Sequence, residues 1–126
     1  MSEQTNIERY NTIMPYLIVP NASNFIDFMK NVFNATETYR GMRDENIIMH
    51  AEVKVGDTTV MLADANDQWK AQTAGMFICV NNADETFNKA LTEGAEIVTV
   101  LSDQPYGRTG GVKDPFGNTW WITKVK

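Results

Sequence analysis

The chain has 126 residues, 43% of them hydrophobic and 21% charged, a balance that suits one globular domain with a core of its own. A formal net charge of −5 argues against a nucleic-acid partner and gives no attraction to an anionic membrane surface. One cysteine, Cys79, excludes an intramolecular disulfide, and no apolar run approaches the ~20 residues of a membrane span.

Residues 1 to about 11 read as a polar tail. Met1-Ser2-Glu3-Gln4-Thr5 has no basic stretch leading into an apolar one, so the expectation is a cytoplasmic protein without a secretory signal. Met14 to Val19 reads as a strand. Phe25, Phe28, Met29, Val32 and Phe33 then recur at helical spacing and form one apolar stripe. Asn21 or Ser23 is suited to cap the start of that helix, and Asn34, which tolerates the left-handed conformation, its end. A short strand is expected at 36–40 and a longer one at 47–55. Gly56-Asp57 is a two-residue hairpin signal, and Thr58 to Ala63 returns. Residues 65–74 form a linker. Met76 to Val80 is the next strand. A helix carrying Phe87, Ala90 and Leu91 follows, capped by Asn82 with Glu85 and closed by Gly94. Glu96 to Leu101 is rich in β-branched residues, Val112 opens a hairpin that turns at Gly117-Asn118, and Thr119 to Val125 completes it.

The two halves repeat one order of elements. Val19-x-Asn21-Ala22-Ser23 recurs as Val80-x-Asn82-Ala83-Asp84, and Gly56-Asp57-Thr58 recurs as Gly117-Asn118-Thr119, both at an offset of 61. The expected fold is α+β: two βαβββ modules, 12–64 and 75–126, forming curved mixed sheets around a cavity with helices on the outer faces. One unit has one helix for a two-faced sheet, so the second face needs another partner. Alternation assigns Met49, Ala51, Val53 and Val55 to the helix side, and Ile48, His50, Glu52 and Lys54 to the opposite, more polar face, a ligand-site candidate.

Met14-Pro15-Tyr16-Leu17, Phe25-Ile26-Asp27-Phe28, His50-Ala51-Glu52, Met61-Leu62-Ala63-Asp64 and Asp114-Pro115-Phe116-Gly117-Asn118-x-Trp120 resemble the PhnB-like branch of the vicinal-oxygen-chelate (glyoxalase/bleomycin resistance/dioxygenase) superfamily, over roughly residues 13 to 124. The resemblance implies paired βαβββ modules, usually dimeric, in metal-dependent lyases, isomerases and dioxygenases and in metal-free drug-sequestering proteins. It places the metal-ligand positions of glyoxalase-type relatives at Met14, Gly75, Trp121 and either Val60 or Leu62. None offers imidazole or carboxylate, so no metal and no cofactor are expected. No Gly-rich strand-to-helix loop is present for a methyl-donor nucleotide.

His50, the only histidine, and Glu52 share one face of a strand; they suit a hydrogen-bonded structural pair or a dimer contact first, and proton transfer second. Trp121 points into the cavity while Trp120 packs under the helix. Tyr16 and Phe77, equivalent at the 61 offset, flank the same space. Tyr106 and Arg108, in the Gln104–Arg108 segment before the last hairpin, are further ligand-contact candidates, Arg108 for a carboxylate or phosphate. Trp69 is placed to close the cavity mouth or to bury a neighbour's edge, and Cys79 reads as an inert buried thiol. The leading reading is a metal-independent small-molecule-binding protein, a likeness to homodimers attached, with its ligand between the modules. A lyase or isomerase using His50 and Glu52, a metalloenzyme with relocated ligands, and an interaction module are the alternatives.

Overall fold

A computed structural model describes residues 10–126. The chain divides into two compact units, one ending at Gln72 and the other spanning Thr73–Lys126. The element order is β1 (Tyr16–Val19), α1 (Ala22–Phe33), β2 (Thr36–Met42), β3 (Ile48–Val55) and β4 (Thr58–Asp64), then β5 (Gly75–Cys79), α2 (Ala83–Thr92), β6 (Glu96–Gln104), β7 (Gly107–Lys113) and β8 (Thr119–Val125). Each unit is therefore a βαβββ module, as the repeat indicates. The sheets have strand orders β1-β4-β3-β2 and β5-β8-β7-β6. In each, the first strand runs parallel to the last and the remaining pairs are antiparallel.

In module one, α1 buries Phe25, Ile26, Phe28, Met29 and Val32 against Leu17, Val19, Ala51, Val53, Val60 and Leu62 of the sheet. Removing this much aliphatic and aromatic surface from water is the main stabilising term of the module. Asn34 ends α1 at φ 57°; its N–H donates to the Lys30 carbonyl and the N–H of Ala35 to the Met29 carbonyl. The start differs from expectation. Asn21 is itself left-handed and makes no side-chain cap, and Ser23 Oγ accepts from Arg40 Nη1 instead. The cap comes from a distant residue: Asp64 Oδ1 accepts from Ala22 N at 2.8 Å, while its Oδ2 accepts from Ile48 N at 2.7 Å. One carboxylate at the end of β4 thus ties down the starts of α1 and β3.

The tail expected over residues 1 to about 11 falls mostly outside the described residues, but Tyr10 and Asn11 belong to the module. Asn11 accepts from Thr59 N and donates to the Asp57 carbonyl, and Tyr10 reaches Glu52. The linker is also structured. Ile18 and Gln72 exchange backbone hydrogen bonds of 3.0 and 2.9 Å along the free edge of β1, and Asn66 Oδ1 accepts from Gln68 N and Trp69 N. Met49, expected on the helix side, is exposed at the start of β3, whereas Ile48 is buried.

In module two, Asn82 Oδ1 accepts from Glu85 N at 3.0 Å, the expected cap of α2, and Gly94 follows the helix at φ 101°. Asp114 organises the β7–β8 turn: Oδ1 accepts from Phe116 N and Asn118 N, and Oδ2 from Asn118 Nδ2 and the Trp120 indole. The Gln104–Arg108 segment leads into the last hairpin and is also a hairpin turn itself. Gln104 pairs with Gly107 across a Pro105-Tyr106 turn, β6 extends to Gln104, and β7 begins at Gly107. Cys79 is exposed, not buried. It shares its strand face with Phe77 and Gly75, opposite the face of Met76 and Ile78, because side chains alternate along β5.

Candidate functional site

The face of the first sheet turned away from α1 carries the polar groups. Strand pairing places Tyr16 beside Met61, Met61 beside Glu52, and Glu52 beside Tyr39, one row across four strands. His50 lies two residues before Glu52 on the same face, and Gly41 is its partner on β2. A Cβ on Gly41 would come within 2.9 Å of the Tyr39 hydroxyl, so glycine leaves room for the Tyr39 ring, which lies 6.0 Å from the His50 ring.

These residues form a hydrogen-bonded chain. Tyr16 Oη is 2.9 Å from His50 Nδ1, and His50 Nε2 is 2.8 Å from Glu52 Oε2. The Tyr10 hydroxyl lies 3.1 Å from both Glu52 oxygens. A carboxylate only accepts, so Glu52 accepts from His50 Nε2–H, and in that tautomer Nδ1 accepts from Tyr16 Oη–H. Glu52 is only 4% exposed, whereas Tyr16 is 47% exposed. The chain therefore runs from a buried anion to a solvent-facing phenol. Burial, and secondarily the charge of Glu52, raise the Tyr16 pKa above that of free tyrosine, so its hydroxyl keeps its proton at neutral pH.

Tyr16 also borders a pocket of about 440 Å³ within module one. Ile18, Ile48 and Ala63 supply its apolar lining from the sheet. Arg43 brings a guanidinium from the β2–β3 connection, and Trp69 and Gln72 contribute from the segment that folds back along β1. Asp64 reaches this pocket too, but both of its oxygens are engaged by backbone N–H groups. Trp69, placed by sequence at a cavity mouth, thus borders a pocket of module one.

The remaining candidates lie in module two. Phe77 pairs in register with Trp121, and the Phe77 and Tyr106 ring centroids are 6.4 Å apart; all three side chains are exposed to a third or more. Trp120, on the opposite face, is buried. Arg108 Nε donates to Asp84 at 2.6 Å and Nη1 to Asp103 at 3.2 Å, and these two hydrogen bonds raise the pKa of its guanidinium. The structure thus brings Tyr16, His50 and Glu52 together in module one, groups Phe77, Tyr106 and Trp121 within module two, and engages Arg108 in ion pairs. Sequence reasoning missed Tyr10, Tyr39 and Arg43. Tyr39 follows from strand register, but nothing local marks Tyr10 or Arg43.

The metal-ligand positions need one correction. Val60 and Leu62 are both buried under α1; the residue in register with Tyr16, as Trp121 is with Phe77, is Met61. The repeat offset, 61 between Tyr16 of β1 and Phe77 of β5, is 60 between Met61 of β4 and Trp121 of β8. Met14, Met61, Gly75 and Trp121 provide no imidazole or carboxylate, and among the described residues no three His, Cys, Asp or Glu side chains group together. This donor set does not fit the divalent metal of glyoxalase-type relatives.

Residues 9–122 match the Glyoxalase/Bleomycin resistance protein/Dioxygenase superfamily, and the chain belongs to it. Among particular relatives, an uncharacterised protein of Mycobacterium bovis is 35% identical over 120 residues, covering 86% of this chain and 79% of its own. The crystal structure of TioX from Micromonospora superposes with a TM-score of 0.73 at 24% identity, over 92% of this chain and 97% of that one. The PhnB protein of Bacillus cereus gives 0.70 at 19% identity, over 91% and 100%. At these identities the two structures establish a shared fold.

Proposed function

We propose that the protein binds a small, largely apolar acid without the help of a metal, in the pocket of module one. The observation that carries this reading is the pocket itself. Its volume of about 440 Å³ lies within the range of small-molecule sites, and aliphatic walls, an indole and one guanidinium converge on it. Apolar walls favour a hydrocarbon or aromatic body, Trp69 offers a stacking surface, and Arg43 suits a carboxylate through two parallel N–H donors. Phe77, Tyr106 and Trp121 form an exposed aromatic surface on module two. Arg108 is left out, because Asp84 and Asp103 already pair with its Nε and Nη1 and balance its charge.

Calorimetric titration with a series of apolar carboxylates, from benzoate to 2-naphthoate, tests the reading. Binding is expected to strengthen with apolar size and to be unchanged by a chelator. Arg43→Gln is expected to weaken it about tenfold, the worth of one charge-assisted hydrogen bond, and Trp69→Ala to weaken it as well. No binding across the series, or binding abolished by the chelator, overturns the reading. A homodimer belongs to the same proposal; sedimentation of the purified chain at its monomer mass removes it.

A further inference from the structure

Binding alone leaves Glu52 unexplained. A hydrophobic sheet face needs no nearly buried carboxylate, and taking one out of water is costly unless its oxygens are satisfied. Here they face Tyr10 and His50, and through His50 the hydrogen-bonded chain reaches a phenol at the rim of the pocket. An orienting carboxylate, an imidazole held in one tautomer and a hydroxyl within hydrogen-bond distance of its free nitrogen form an arrangement that moves protons.

We propose that module one carries a proton-transfer site in which the Tyr16 hydroxyl takes a proton from an acidic C–H group of a small apolar molecule while passing its own proton to His50 Nδ1. The inference rests on the pocket being the ligand site. The substrate C–H bond breaks and its electron pair stays on the substrate. A new O–H bond forms on Tyr16, the old one breaks, and an N–H bond forms on His50. The resulting imidazolium sits against the Glu52 carboxylate, which accepts from Nε2 throughout. The reverse passage returns the proton to another atom of the substrate or to its product. Tyr16 is the catalytic residue; His50 and Glu52 act through it as positioning residues.

The surroundings suit this division. His50 is faced by Tyr16 from β1, by Glu52 on its own strand, and by the Tyr39 ring from β2. β4 contributes Met61, which has no ionisable group, to the same row. Tyr10 holds the far side of Glu52. The transfer starts from the Tyr16 phenol donating to His50 Nδ1 while Nε2–H donates to Glu52, an arrangement that the 2.9 and 2.8 Å contacts provide.

The test uses 5-nitrobenzisoxazole, an apolar aromatic probe whose C3 proton leaves to a base as its N–O bond breaks, giving a coloured cyanonitrophenolate. The wild-type chain is expected to accelerate this elimination over buffer. Tyr16→Phe, a surface change that retains the ring, is expected to lower kcat about a hundredfold or more with KM little changed, the scale of general-base catalysis. His50→Ala is expected to fall comparably and to be restored by added imidazole, a rescue that a merely structural histidine would not show. Glu52→Gln is expected to lower kcat without imidazole rescue. A Tyr16→Phe rate equal to wild type overturns the proposal. A probe that displaces 2-naphthoate yet is not turned over overturns it while leaving the binding reading intact. If neither compound binds, both readings fall together.

Discussion

The indole of Trp121 lies over Gly111: a Cβ on Gly111 would come within 2.5 Å of Trp121 Cζ3. The two residues are paired across β7 and β8. Gly107, at the start of the same strand, is held differently. Its φ is 151°, and a Cβ there would come within 2.2 Å of the Lys124 carbonyl oxygen. An exposed ring can swing aside, but a backbone carbonyl in a ladder cannot. Gly111→Ala is therefore expected to cost about 1 kcal/mol or less and to shift tryptophan emission, whereas Gly107→Ala costs about 3 kcal/mol through overpacking and backbone strain. Urea unfolding of both variants checks the order; equal losses would contradict the assignment.

Asp114 carries the β7–β8 turn. Four donors converge on its two oxygens, among them the buried Trp120 indole. Asp114→Ala leaves them without that acceptor and is expected to destabilise by about 2–4 kcal/mol, since each orphaned buried donor carries a desolvation cost. Asp114→Asn keeps the shape but sets an amide N–H against donors, and is expected to fall between. Unfolding midpoints measured by circular dichroism rank the three proteins. An Asp114→Ala midpoint within error of wild type would show that the turn is held by other means.

Much of this architecture is legible in the sequence because its signals are local. The apolar stripe of α1, Asn34 at φ 57°, the Asn82 cap and the Gly56 and Gly117 turns act within a few residues, and their recurrence exposes the duplication. Most of the misses depend on distant partners. The Gly110-Gly111 stretch of β7 reads against a strand, yet a side chain on Gly110 would strike Phe87 and one on Gly111 would strike Trp121. The cap of α1 comes from Asp64, 42 residues away, and neither Asn21 nor Ser23 supplies it. His50 and Glu52 stand out by residue type and spacing, but Tyr16 joins them only through the parallel pairing of β1 with β4. Exposure of Cys79 follows from the strand alternation, once the register of β5 is known.

Glu37 makes the acid stability of module one testable. Its carboxylate is hydrogen-bonded to Arg40 and also meets Lys30, and these partners, Arg40 foremost, lower its pKa below the usual value against a smaller opposing effect of burial. A depressed carboxylate pKa contributes stability that is present above the unfolded-state pKa and is lost as pH falls through the folded one. Glu37→Gln should therefore lower stability at pH 7 while narrowing the difference between pH 7 and pH 3. Parallel urea titrations at the two values measure it. An unchanged pH 7-to-3 difference would remove Glu37 from the acid response.

Asp64 borders the pocket, yet its role is architectural. Both oxygens are spent on the backbone N–H groups of Ala22 and Ile48, the first residues of α1 and β3. Asp64→Asn would direct an amide N–H at one of those donors and is expected to cost about 1–3 kcal/mol, the scale of a lost cap combined with an unsatisfied buried group. The same substitution removes no donor that a bound carboxylate would use, and it takes a negative charge away from the pocket. Affinity for 2-naphthoate should then hold or rise at temperatures where the variant is folded, even as its urea midpoint falls. A variant that keeps the wild-type midpoint but loses affinity would instead place Asp64 among the groups that contact the ligand.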